Sequence, residues 1–81
     1  MTQTPDTKPG NYYVSVRRDN GDFRCLVGPF RDDHSAALAL VDPARKIAQD
    51  VDPKAAWYSF GTVRTEYSYD KPGILNDKVL Q

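Results

Sequence analysis

The chain is poor in the residues that most small-protein chemistry needs. It holds one cysteine, Cys25, and one histidine, His34. A lone cysteine cannot close an internal disulfide, and a small secreted domain would usually carry several. That favours a reducing, cytoplasmic setting. One Cys with one His leaves too few soft ligands for zinc. Asp is plentiful, but no D-x-[DN]-x-[DN]-G loop occurs, and DNGD at 19–22 is too short to wrap calcium. The five glycines are scattered and form no phosphate-cradling loop. No metal and no cofactor are therefore expected. No apolar run approaches the ~18 residues of a membrane helix, and the opening MTQTPDTKPGN lacks the apolar stretch of a signal peptide.

Net charge is also missing. A formal charge of zero argues against a generic polyanion binder. A hydrophobic share of 40 % suffices for one small core and argues against a disordered chain. No catalytic constellation stands out. His34 follows an acidic pair at an expected helix start, where the simpler reading is a solvated side chain. Its neighbour Ser35 has no third group to complete a nucleophile and base. Cys25 reads as a small core residue. The chain is read as a non-enzyme.

What is present is a hairpin pattern from Tyr12 to Phe30, YYVSVRRDNGDFRCLVGPF. Asn20-Gly21 is a strong signal for a two-residue turn, because both residues tolerate φ > 0. Such a turn pairs Arg18 with Phe23, Arg17 with Arg24, Val16 with Cys25 and Val14 with Val27. It places Val14, Val16, Phe23, Cys25 and Val27 on one face, with Tyr13, Ser15, Arg17, Arg24 and Leu26 on the other. Arg17 opposite Arg24 is unfavourable for folding and hints at a partner surface. Gly28-Pro29 is expected to end the second strand.

A helix follows over residues 33–51, capped by Asp32 or Asp33. Ala37, Leu40, Val41, Ala44, Ile47, Ala48 and Val51 form one apolar stripe. Pro43 lies inside it and predicts a kink or a restart; the unbroken phase favours a kinked continuous helix. Residues 55–67 read as a third strand, with Tyr58 and Phe60 under the helix, Trp57 at least partly outside and Gly61 a candidate bulge. Residues 67–81 contain a Pro72-Gly73 turn and either add an edge strand or wrap the sheet.

The expected architecture is thus α+β: residues 1–10 a flexible tail, residues 11–81 one domain, with a helix on one face of a small antiparallel sheet. The opposite face, with Tyr13, Arg17, Arg24 and Trp57, is the expected binding surface unless a second copy or the tail covers it.

Two resemblances rest on these residues. DFRCLVGPFRDDHSAALAL, between a strand and an aromatic strand, resembles the second half of a sporulation-related repeat (SPOR) domain, which implies binding to bare peptidoglycan glycan strands. The series YYVSV, LVGPF, LVDPAR, WYSFGT and PGILN resembles small phage, prophage and plasmid proteins of proteobacteria, which implies an accessory role on a host or defence protein. The leading expectation is a small interaction protein with a protein partner, no membrane contact and homodimerisation allowed. The alternatives are a nucleic-acid binder using the open sheet, whose affinity would fall steeply with salt, and a SPOR-like glycan binder.

Overall fold

The structure is a computed structural model that describes residues 5–18 and 21–80. Three antiparallel strands, β1 (Asn11–Arg17), β2 (Phe23–Arg31) and β3 (Ser59–Thr65), lie in the order β2-β1-β3. Helices α1 (His34–Ala39) and α2 (Val41–Val51) connect β2 to β3, followed by a 3-10 turn at Pro53–Trp57; a short α3 (Asn76–Val79) comes near the end. The fold is α+β, as the sequence pattern predicts.

The hairpin forms in a different register. Arg17 faces Phe23, Val16 faces Arg24 and Ser15 faces Cys25. The Arg18 N–H donates to the Asp22 carbonyl at 2.8 Å, so three residues, 19–21, make the connection. Asn20 lies outside the described residues. Gly21 has φ 89, the left-handed conformation that three-residue hairpin loops require at their last position. The shift puts Cys25 and Phe23 on the face away from the helices, and Arg17 is not opposite Arg24. A register shift between Val14 and Ser15 then restores the expected Val14–Val27 pair. With this bulge, consecutive Leu26 and Val27 both reach the core. β2 does not end at Gly28-Pro29, whose peptide bond is cis; it runs on to Arg31 with a second irregularity there.

Tyr12, Val14 and Val16 form the floor of the core with Leu26 and Val27, under Ala37 and Ala44 of the two helices. Leu40, Val41, Ile47 and Ala48 complete the predicted stripe as partly buried neighbours. The helix is broken, not merely kinked: it stops at Leu40 (φ −102, ψ 1) and restarts at Val41. Pro43 then sits in the first turn of α2, where a missing N–H removes no helical bond. Asp33 is the N-cap of α1, accepting from the Ala36 N–H. β3 begins later than expected, since 53–57 form the 3-10 turn, and its register with β1 is continuous, with no bulge at Gly61.

No strand follows β3 among the described residues. Instead the C-terminal segment wraps around the outer edge of β2. On the face away from the helices Tyr69 stacks edge-on against Tyr13, centroids 5.6 Å apart. The chain then turns over β2, with Gly73, Ile74 and Leu75 donating to the carbonyls of Gly28, Cys25 and Leu26 at 3.1, 3.2 and 2.7 Å. Leu75 enters the core. The approach at Gly73 is so close that a Cβ there would meet the Leu26 carbonyl oxygen at 2.4 Å. The Asn76 side chain locks the crossing by pairing with both backbone groups of Gly28. At the other end the expected tail contacts the domain from Asp6 onward: the Asp6 N–H donates to His34, and the Tyr12 hydroxyl donates to the Lys8 carbonyl at 2.6 Å. Residues 1–4 lie outside the described residues.

Candidate interaction surface

The four residues expected to share one open face are separated. Tyr13 is completely buried beneath the C-terminal segment. Its hydroxyl donates to the Lys71 carbonyl at 2.8 Å, and burial pushes its pKa up to about 12, with smaller contributions from Cys25, Tyr69 and Asp70. It is a core residue of the second face, so that face is not an open aromatic platform. Arg17 is exposed and stands beside Phe23 over a shallow groove with Ser15, Ser59, Gly61 and Val63. Arg24 lies on the helix side, across from Val16. Trp57 is off the sheet, in the 3-10 turn, and 83 % exposed.

His34 is not solvated. It is 7 % exposed, and its ring stacks on Tyr12 with centroids 4.8 Å apart. Its Nδ1 accepts from the Asp6 N–H, so the proton of the neutral ring sits on Nε2, 2.7 Å from Thr62 Oγ1. Both nitrogens are engaged in packing the N-terminal segment against α1 and β3. Cys25 is half-buried on the second face, and burial raises its thiol pKa, the opposite of what a thiolate nucleophile needs. Among the described residues, no group of three or more His, Cys, Asp or Glu side chains is placed to hold a metal ion. Among the described residues, no helix is long and apolar enough to cross a membrane.

A further surface is a cleft of about 240 Å³ where the hairpin end, the C-terminal end of α2 and the wrapped segment meet. Val16, Leu26, Ala48, Tyr58 and Leu75 form its apolar floor, and Val51 and Ile74 its lips. Val51 and Ile74 are 60 % and 66 % exposed, and Trp57 stands in the same 3-10 turn as Ala55, which also lines the cleft. Arg18 and Arg24 border the opening. Arg18 Nη2 is paired with Asp22 at 2.5 Å, and that bond holds the guanidinium pKa above its usual range. Its Nε is buried with no hydrogen-bond partner among the described residues. Arg24 keeps a looser pairing to the same carboxylate, 3.8 Å away. Asp52 on the opposite side accepts from the Tyr58 hydroxyl. Such a site has shape and apolar surface for an inserted side chain and guanidinium groups for a flanking acid.

Of the four residues expected to bind, Arg24 alone lines this cleft, and it does so from the helix side rather than the expected face; Val51, Ile74 and Arg18 were not among the expected residues. Val51 was legible as the last position of the helix stripe, where the stripe drifts off the core. Ile74 was legible only as an apolar residue after a Pro-Gly turn. Comparison with protein-family models, with curated proteins and with solved structures gives no match to this chain.

Proposed function

We propose that the chain is a small non-enzymatic interaction protein, encoded on a mobile element, which binds and modulates a host or defence protein through the cleft between the hairpin, α2 and the wrapped C-terminal segment. The observation that carries this reading is the pair of exposed apolar side chains, Val51 and Ile74, on the lips of an apolar hollow edged by Arg18 and Arg24, with the exposed Trp57 two residues along the chain from the cleft-lining Ala55. Monomeric proteins seldom expose such groups together without use, and tryptophan and arginine are the residues that most often dominate binding energy. The mobile-element origin is supported by the resemblance of the sequence pattern to phage and plasmid accessory proteins.

The test compares wild type with Trp57→Ala/Ile74→Glu in affinity capture from extract of a candidate host. Both side chains are largely exposed, so the variant should keep its circular dichroism and its denaturation midpoint. A protein captured by the wild type and lost by the folded variant is the expected result. Equal recovery of the same partner by both would place the interface elsewhere. Capture of nucleic acid instead, with affinity falling steeply in salt, would favour a nucleic-acid binder; retention on purified peptidoglycan would favour the glycan reading.

A further inference from the structure

The two outer edges of the sheet are treated differently. The β2 edge is covered, its outward carbonyls at Cys25, Leu26 and Gly28 taken up by Ile74, Leu75 and Gly73. The β3 edge is bare: among the described residues, no backbone–backbone hydrogen bond outside the sheet reaches residues 59–65. The strand is regular over seven residues, with no proline, no lysine and no bulge. Natural sheets usually protect an edge with one of those devices, because a regular bare edge templates another strand.

Hydrogen-bond geometry identifies the open groups. The N–H and C=O of Arg18 both point toward the hairpin partner, to Asp22 and Gly21. Backbone groups alternate sides along a strand, so Val16, Val14 and Tyr12 also point to β2, while Arg17, Ser15, Tyr13 and Asn11 point to β3. In the β1–β3 register these last residues face Ser59, Gly61, Val63 and Thr65. Phe60, Thr62 and Arg64 therefore carry their N–H and C=O groups outward.

We infer that the β3 edge pairs antiparallel with β3 of a second copy of this chain, about a two-fold axis at Thr62, joining two three-stranded sheets into one. This register alone engages all three outward residues: Thr62 meets Thr62 of the second copy, and Phe60 meets Arg64 in both directions. The strand is self-complementary in that arrangement. Its single charge, Arg64, lies opposite an aromatic ring, whereas an axis at Arg64 would oppose two guanidinium groups. On the other face Gly61 lies opposite Val63, in the closely spaced kind of pair. A Cβ at Gly61 would meet nothing within 4 Å, so there is room for the valine side chain. This interface is separate from the cleft and does not depend on it.

Sedimentation equilibrium of the full chain over a concentration series tests the inference, with amide exchange as the site-specific readout. The wild type should dimerise reversibly. Protection of the Phe60, Thr62 and Arg64 amides should rise with protein concentration, while that of Gly61 and Val63, which bond to β1, should not. Thr62→Pro removes an outward N–H at the axis without taking a bond from β1. It should raise the dimer Kd by about 100-fold or more, since it acts twice in the symmetric pair. Arg64→Pro, at an exposed position with an outward N–H, repeats the test if Thr62→Pro disturbs the fold. A wild type that stays monomeric throughout the series would overturn the inference. So would a dimer that survives in either folded proline variant, or one whose outward amides exchange at a rate independent of concentration.

Discussion

Alanine at Gly73 should undock the C-terminal segment, although it adds a single methyl group. The added carbon would lie 2.4 Å from the Leu26 oxygen, 2.5 Å from the Leu26 carbonyl carbon and 2.5 Å from the Val27 nitrogen. All three are main-chain atoms of the strand that carries the core, so no side-chain rotation relieves the clash. The segment must move away from β2. Moving it breaks the bonds from Gly73, Ile74 and Leu75 to β2 and withdraws Leu75 from the core. Losing a buried leucine from a core costs about 2–5 kcal/mol; each exchanged backbone bond adds roughly 0.5–1.5 kcal/mol, and the entropy of the freed segment offsets part of this. The expected loss is therefore close to that of Leu75→Ala, about 2–5 kcal/mol. A domain of this length has roughly 4–12 kcal/mol in total. Urea denaturation of Gly73→Ala, Leu75→Ala and the double variant measures it. Because both changes act by removing the same docked segment, the double variant should be little less stable than Gly73→Ala alone. An unchanged midpoint for Gly73→Ala would refute the close approach, and full additivity would refute the shared mechanism.

Two further predictions concern register and charge. Leu26→Ala should cost about 2–5 kcal/mol because Leu26 faces the helices, while Cys25→Ala, on the second face, should stay within about 1 kcal/mol; the reverse order would restore the two-residue turn. Stability should fall as the solution is acidified below the ordinary carboxylate range. The Tyr67 hydroxyl and then the Gly10 N–H hold Asp32 below that range, and the Ser35 hydroxyl and then the Ala36 N–H do the same for Asp33. The unfolded chain thus takes up these protons first: the contribution is complete above the unfolded value near ~4 and lost as pH falls through the lower folded values. Asp32→Asn/Asp33→Asn should flatten the acid side of a midpoint-versus-pH curve, and an unchanged curve would show that these bonds do not matter for stability.

Much of the fold was legible because it depends on short-range patterns. The helix stripe places Ala37 and Ala44 against the sheet, Asp33 caps the first turn, and the alternation in β3 sends Phe60 toward the core. The hairpin shows where local information stops. Asn20-Gly21 fits a two-residue turn, but Gly21 also fits the last position of a three-residue loop, and both loops preserve the Val14–Val27 pair once the bulge at Leu26 is included. What separates them is Leu26 and Leu75. The three-residue loop turns Leu26 inward, and Leu75 arrives from nearly fifty residues downstream to pack in the same core. That choice is made by tertiary contact, which no turn propensity encodes.

The same reasoning explains why the expected site dispersed. Placing Tyr13, Arg17 and Arg24 together required both the two-residue register and an uncovered second face. The first fails by one residue, which is enough to send Arg24 to the helix side, since strand side chains alternate. The second fails because residues 67–72 lie over it: the segment has no apolar periodicity, yet its backbone carbonyls are what Tyr13 and Asn11 need. The Tyr13 hydroxyl reaches the Lys71 carbonyl, and the Asn11 amide reaches the Tyr69 carbonyl at 2.8 Å. A polar, turn-rich segment is thereby tied over an aromatic residue by hydrogen bonds rather than by hydrophobic pattern. His34 follows the same rule: its partners come from two distant parts of the chain, Asp6 and Tyr12 from the N-terminal stretch and Thr62 from β3. Among the surfaces that this covering leaves open are the cleft at Ile74 and the outward amides of β3. Association is therefore most directly sought at those two places, with opposite chemistry at each: side-chain burial at the cleft, main-chain pairing at the edge.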